Sequence, residues 1–235
     1  MSAPLSFEDI LHARRAIRRF LPTPVPAGVV LELLDRAARA PSGGNVQPWR
    51  VYALAGAEKE KLSRAIIDKY LDSGIDAEVA YYPEPCVEPW LSRRRKVGAD
   101  LYALLGIAKG DKEKMSQQWL RNYRFFDAPV GLIFTIDRAF GERMLLDYGM
   151  FMQNLMLAAR ARGLDTCAQL AFACLQDTVR RSLALPENER VLCGMALGHA
   201  DPEAPENRLR TERAPAATFT DLRGFSEDRV QRTAV

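Results

Sequence analysis

The chain is poor in the residues on which much enzyme chemistry rests. It has two histidines, His12 and His199, too few to expect a zinc cluster. Its four cysteines, Cys86, Cys167, Cys174 and Cys193, show no CxxC spacing, so no metal-binding or redox pair is expected. The stretches GxGxxG, GxxxxGK[ST] and GxSxG are all absent, which removes the usual dinucleotide-fold, P-loop and serine-hydrolase readings. Excess charge is also missing: 33 Lys and Arg against 30 Asp and Glu leave +3, too balanced for a protein built around a nucleic-acid backbone. The most apolar run, residues 144–161, is interrupted by Asp147, Gln153, Asn154 and Arg160, so no membrane span is expected. The first nine residues lack the basic start and apolar core of a secretion signal, and a cytoplasmic protein is the expectation.

What is present is ordinary globular material. With 48% hydrophobic and 27% charged residues in 235, disorder is not expected. A chain of this size buries roughly 70% of its unfolded surface and needs no disulfide or metal staple. Ser6 with Asp9 resembles a capping box and predicts a helix over 7–15. Val29, Val30, Leu33, Leu34, Ala37 and Ala38 recur at helical spacing, and Pro41-Ser42-Gly43-Gly44-Asn45 then breaks the pattern. Strands are predicted over 50–55, 130–136, near 166–167 and over 191–197, and helices over 58–71, 92–105, 113–123 and 175–185. The helix predicted over 144–162 is apolar nearly all round, so it lies either in the core or at a subunit interface. Helices interspersed with a few strands give an α+β class, one domain over 1–225 with a polar tail at 226–235.

Two clusters carry chemistry. Arg14-Arg15-Ala16-Ile17-Arg18-Arg19 concentrates cations, with Arg14 and Arg18 expected one helical turn apart and mutually repelling. Either this is a wet surface or it grips an anion such as a phosphate. In Pro41-Ser42-Gly43-Gly44-Asn45-Val46-Gln47-Pro48-Trp49, the glycines permit close approach, while Ser42, Asn45 and Gln47 offer short polar handles. A plain helix-to-strand turn is the alternative. Arg93-Arg94-Arg95-Lys96 reads as a solvated helix face.

Taken in order, RRAIRRF and then APSGGNVQPWRVY resemble the opening of the FMN-dependent nitroreductase family, whose usual forms are RRSxRxF and PSxxNxQPW. DYGMFMQNLMLAARARGLDTCAQLAF is similar to that family's central dimer helix and following loop. GMALGHADPEAPENRLRTERAP is similar to its terminal phosphate-binding segment. The stretch from YYPEPCVEPWLSRRRKVG to RNYRFFDAPVGLIFTIDR looks most like the nitrobenzoate-reductase branch. The resemblance spans about residues 7–219.

The resemblance implies an α/β sandwich with a mixed sheet flanked by helices, assembled as an interlocked homodimer. It implies FMN as cofactor and NAD(P)H as co-substrate, with ping-pong hydride transfer through flavin N5 to a nitroaromatic such as a nitrobenzoate. By matching positions, Arg14, Arg15, Ala16 and Arg18 fall on the N-terminal FMN segment. Ala16 replaces a frequent serine and loses one hydroxyl contact. Pro41, Ser42, Asn45 and Gln47 fall on the loop that reaches the flavin across the dimer. Arg124, with Asn122 close by, matches a position beside the pyrimidine ring. Ala168, Gln169 and Leu170 match the edge of the ring system, and Arg213 with Arg210 the C-terminal phosphate contact. No side-chain acid, base or metal is implied. The remaining open face calls for a wall, and the proline-rich stretch with Tyr81, Tyr82 and Trp90 is expected to supply it, with Arg93 or Arg94 toward a substrate carboxylate. Quinone or flavin reduction, other chemistry of the same fold, or flavin binding without turnover remain open alternatives. No nucleic-acid or membrane partner is implied.

Overall fold

The computed structural model describes residues 5–75 and 85–225. Four strands form one sheet: β1 (Arg50–Ala55), β2 (Val130–Asp137), β3 (Asp165–Gln169) and β4 (Glu189–Gly198), in the order β1-β2-β4-β3. Every strand pair is antiparallel. The parallel component expected of a mixed sheet is confined, among the described residues, to an isolated bridge between Ala16 and Thr166. Among the described residues, seven α-helices accompany the sheet: α1 (Phe7–Ala13), α2 (Ala27–Ala37), α3 (Gly56–Ser73), α4 (Trp90–Leu104), α5 (Lys112–Leu120), α6 (Met144–Ala161) and α7 (Gln176–Ser182).

The sheet has a layer on each face because its central strands are apolar on both sides. Val130, Leu132, Phe134 and Ile136 of β2 pack with Val30 and Leu33 of α2 and Tyr148, Phe151 and Leu155 of α6. Ile133 faces the other way, toward Leu62 and Ile66 of α3, Val179 of α7 and a knot of aromatic residues. In β4 the alternation changes phase. Phe134 pairs with Cys193 but Thr135 pairs with Val191, leaving Leu192 as the extra residue of a bulge. The bulge lets Val191 face one layer while Leu192 and Cys193 both face the other.

Glycine shapes the aromatic side. A Cβ on Gly131 would lie 2.6 Å from the Phe125 ring, and one on Gly194 would lie 2.4 Å from Phe172. Those rings stack at 4.6 Å between centroids, so two missing side chains make the seat for two phenylalanines. The 3-10 segment Arg121–Asp127 delivers Phe125 there and places Phe125, Phe126 and Asp127 in the left-handed region. Burying both rings and pairing Asp127 offsets that local cost.

The first helix ends earlier than its sequence suggests. The capping box forms, with the Ser6 hydroxyl accepting from the Asp9 amide at 3.1 Å. The helix stops at Ala13, and Arg14 is extended, because the chain turns to join β3, where the Ile17 amide donates to the Thr166 carbonyl at 3.1 Å. Arg14 and Arg18 are therefore not one helical turn apart. Similarly, the helix expected over 113–123 ends at Leu120 and gives way to the 3-10 segment. Residues 170–175 are 3-10 ahead of a shorter α7. β1 and α6 stand close to where the sequence puts them. No helix among the described residues is long and apolar enough to cross a membrane.

Candidate functional site

An arginine cleft forms where the two chain-distant basic segments meet. Leu11, His12, Arg14, Arg15, Ala16 and Arg18 line one side, and Leu209, Arg210, Thr211 and Arg213 the other, around about 410 Å³. The bond network that joins them runs through Asn207, which is buried. Its side-chain oxygen accepts from the Arg18 amide at 2.8 Å, and its nitrogen donates to the carbonyls of Arg19 at 2.8 Å and Asp201 at 2.9 Å. Sequence reasoning missed Asn207, since nothing local distinguishes it from any loop asparagine.

The electrostatics of this cleft are unfinished. None of Arg14, Arg15, Arg18, Arg210 or Arg213 has an ion pair among the described residues, and no carboxylate lines the cleft. Their hydrogen bonds go to backbone carbonyls and to the Thr211 hydroxyl. Burial, and then the neighbouring Arg213, hold the Arg14 guanidinium below its ordinary pKa. Burial and then Arg210 do the same to Arg15. The nearby Asp165 favours the charged form of Arg15 but is itself engaged by Arg160 at 2.8 Å. The Nε of Arg15 is buried without a partner. Clustered cations with an orphaned donor suit an anion of high charge density, such as a phosphate.

β3 leads from this cleft to the predicted ring-edge residues. Beyond Thr166, which pairs with Ala16, Ala168 and Leu170 are exposed while Gln169 is buried. Gln169 Nε2 donates to the Asn122 carbonyl at 2.6 Å, and its Oε1 is buried with no partner. Asn122 is thus brought to β3, although its own side chain is spent on the Trp119 carbonyl at 2.9 Å. Cys167 sits on the same strand, and burial pushes its thiol up to about 11, so it stays protonated at neutral pH.

Arg124, expected beside the ring, is not among the residues that line the arginine cleft. It lines a different cleft of about 790 Å³, between α3 and residues 22–25, together with Lys59, Arg64, Asp68 and Asp127. The left-handed turn that seats Phe125 swings its neighbour Arg124 toward that side. The loop with Pro41, Ser42, Asn45 and Gln47 also stays apart from the arginine cleft. Residues 43–47 of the loop are exposed. Of the expected wall, Tyr81 and Tyr82 lie outside the described residues. Trp90 opens α4 and is 60% exposed. Arg93 and Lys96 of α4 line a cleft of about 470 Å³ that shares Thr211 and Arg213 with the arginine cleft.

Five guanidiniums without a paired carboxylate, at the edge of an α+β sandwich, form a site of the class that suits a phosphorylated small molecule. The comparison with known proteins narrows that class: residues 11–199 match the nitroreductase family, and the chain belongs to it. It is 41% identical over 219 residues to the 4-nitrobenzoate reductase of Pseudomonas putida, covering 93% of this chain and 96% of that one. It is 39% identical to the nitrobenzene nitroreductase of Ectopseudomonas oleovorans, covering 91% and 95%. Its fold matches the crystal structure of the FMN- and NADPH-dependent nitroreductase NfnB from Sphigopyxis sp. strain HMH with a TM-score of 0.91 and 38% identity, over 94% of this chain and all of that one.

Proposed function

We propose that this protein is an FMN-dependent NAD(P)H nitroreductase acting on nitroaromatic acids of the nitrobenzoate kind, with residues 1–225 as one flavin-binding domain. The observation that carries this is the arginine cleft. Arg14, Arg15, Arg18, Arg210 and Arg213 supply positive charge with no internal counter-charge, and they fit the phosphate of FMN. Gln169, whose unpartnered Oε1 lies on β3 beyond that cleft, and the backbone of Ala168 and Leu170 fit the ring system, which carries both donors and acceptors. When bound, FMN supplies the redox chemistry, accepting hydride from the nicotinamide and delivering it to the nitro compound. The protein's part is to bind, orient and shield. The arginines fix the phosphate end, and β3 fixes the ring edge.

Trp90 and α4 stand beside the cleft through the shared Thr211 and Arg213, which supports α4 as part of the substrate wall, with Arg93 available to a carboxylate. A homodimer is part of the same reading. Along α6 one stripe is buried, Tyr148, Phe151, Leu155 and Ala159, while Leu146 on another side is 72% exposed. α1 buries no residue, and Phe219 and Leu222 are exposed. These apolar groups suit a second copy, which would bring Asn45 and Gln47 to the partner's flavin. Four free cysteines, three of them buried, support a reducing compartment such as the cytoplasm.

The experiment is NAD(P)H oxidation by the flavin-loaded protein with a panel of nitrobenzoates, nitrobenzenes and quinones, with product identification. Oxidation that depends on the nitroarene, and is fastest with the acids, is expected. Oxidation driven by quinones alone favours the quinone-reductase alternative, and none at all favours flavin storage.

A further inference from the structure

The loop over residues 41–49 is held in a costly shape. Asn45 and Gln47 both have left-handed backbones, with φ of 59° and 53°, as does Gly44 at 58°. Asparagine tolerates this region, but glutamine has little reason to enter it unless neighbours impose it. Inside the loop the Ser42 hydroxyl accepts from the Gln47 amide at 2.9 Å, and the Asn45 amide reaches the Ser42 carbonyl at 2.9 Å. Asn45's carboxamide makes no hydrogen bond within the described residues.

Three side chains of one helix anchor the loop from outside. The buried Asp147, in the first turn of α6, accepts from the Gly43 amide through Oδ2 at 3.0 Å. The next residue, Tyr148, accepts from the Arg50 amide at 3.2 Å, and its hydroxyl lies 2.8 and 2.9 Å from the carbonyls of Arg50 and Thr135. One turn on, Phe151 stacks on Trp49 at 4.8 Å and 9°. Tyr148 and Phe151 grip the outgoing end, which β1 and the buried Pro48 also fix. The incoming end, ahead of the strained residues, has Asp147 as its side-chain anchor.

We propose that Asp147 is a positioning residue: its carboxylate holds the Gly43–Gly44 turn and so aims Asn45 and Gln47 at the flavin. The inference rests on the reading that this loop reaches FMN, and it adds a residue to which neither the loop motif nor the cleft points. What Asp147 supplies is an acceptor oxygen for the Gly43 amide, not a negative charge alone. That separates it from a purely structural role at the start of α6, where a negative charge favours the helix dipole.

Four variants decide it: Asp147→Ala, Asp147→Asn, Asp147→Glu and Asn45→Ala. Each is read by FMN titration of flavin-free protein, by hydrogen exchange over residues 41–49, and by thermal melting without flavin. Asp147→Ala removes the acceptor and is expected to weaken FMN binding about tenfold and to raise exchange across the loop. Asp147→Asn keeps an acceptor at the same reach and is expected to restore most of the affinity, although it lacks the charge. Asp147→Glu keeps the charge but displaces the acceptor by one methylene. It is expected to weaken FMN binding with little change in melting, and it serves if the alanine variant does not fold. Asn45→Ala tests the underlying reading, and unchanged FMN affinity there means that the loop does not reach the flavin. Weakened binding in Asn45→Ala with wild-type binding in Asp147→Ala or Asp147→Glu overturns the role of Asp147 alone. Equal losses in the alanine and asparagine variants, tracking melting, also overturn it, since charge at the helix start then explains both.

Discussion

Arg14 and Arg124 both stand in clefts lined with basic side chains, but the two clefts treat charge in opposite ways. Around Arg14 five guanidiniums converge and no carboxylate joins them. Around Arg124, Lys59 and Arg64 are matched by Glu60, Asp68 and Asp127. Asp127 is drawn in further by Arg19 at 2.6 Å and Arg121 at 3.0 Å. Burial by itself would raise the Asp127 pKa, but those two arginines outweigh it and hold the carboxyl below its ordinary value. The larger cleft therefore holds its own counter-charges, while the smaller one holds none among its lining residues. Volume is a poor guide here, and uncompensated charge a better one.

The comparison is broken most strongly at the arginines. Replacing Arg14 and Arg18 together with alanine removes two charged hydrogen-bond donors and is expected to cost about 3–6 kcal/mol of FMN binding. The flavin-free variant is expected to melt no lower than wild type, because like charges have been thinned. Fluorescence titration and a thermal melt check the two halves. A smaller effect is expected from Asn207→Ala, which removes three hydrogen bonds, two of them to the backbone of Arg18 and Arg19. About 3 kcal/mol of folding stability should go in urea titrations, with FMN binding weakened in parallel.

Asp127→Asn probes the neutralised cleft. Asparagine tolerates the left-handed backbone, so the substitution isolates the charge. With both partners partly exposed, a loss of about 1 kcal/mol is expected at neutral pH. The pH dependence has a fixed sign. The folded-state pKa is lowered, so the contribution is complete above the unfolded value near 3.9 and is lost as pH falls through the folded one. Wild type and variant should therefore converge in stability as pH falls below the lowered folded value. The smallest effect belongs to Arg124→Ala, for which FMN affinity within about twofold of wild type is expected, a difference of about 0.4 kcal/mol.

Much of this was legible in the sequence where one segment decides its own fate. β1 ends where its alternation ends, and α6 begins at Met144, the first residue of an apolar run that needs no distant partner to be recognised. The charge concentrated at Arg14, Arg15 and Arg18 was readable because charge is written in residue type, and the structure brings Arg210 and Arg213 to it. Legibility failed where distant contacts overrule local pattern. α1 stops short because Ile17 pairs with Thr166, and the helical pattern near residue 121 breaks because Phe125 has a seat at Gly131 and against Phe172. The same turn places Arg124 in the cleft beside α3, a placement that spacing cannot record. Asn207 and Asp147 were invisible for a related reason, since each acts on a backbone about a hundred residues or more away.

The claim at the centre is that the arginine cleft is the phosphate end of a flavin site. The most direct test is titration of flavin-free protein with FMN and with riboflavin, which lacks the phosphate, in wild type, Arg14→Ala/Arg18→Ala and Arg124→Ala. The account predicts one FMN per chain, much weaker binding of riboflavin, loss of the FMN advantage in the double variant, and its retention in Arg124→Ala. Equal affinity for FMN and riboflavin in wild type, or an FMN affinity untouched by loss of Arg14 and Arg18, would contradict it.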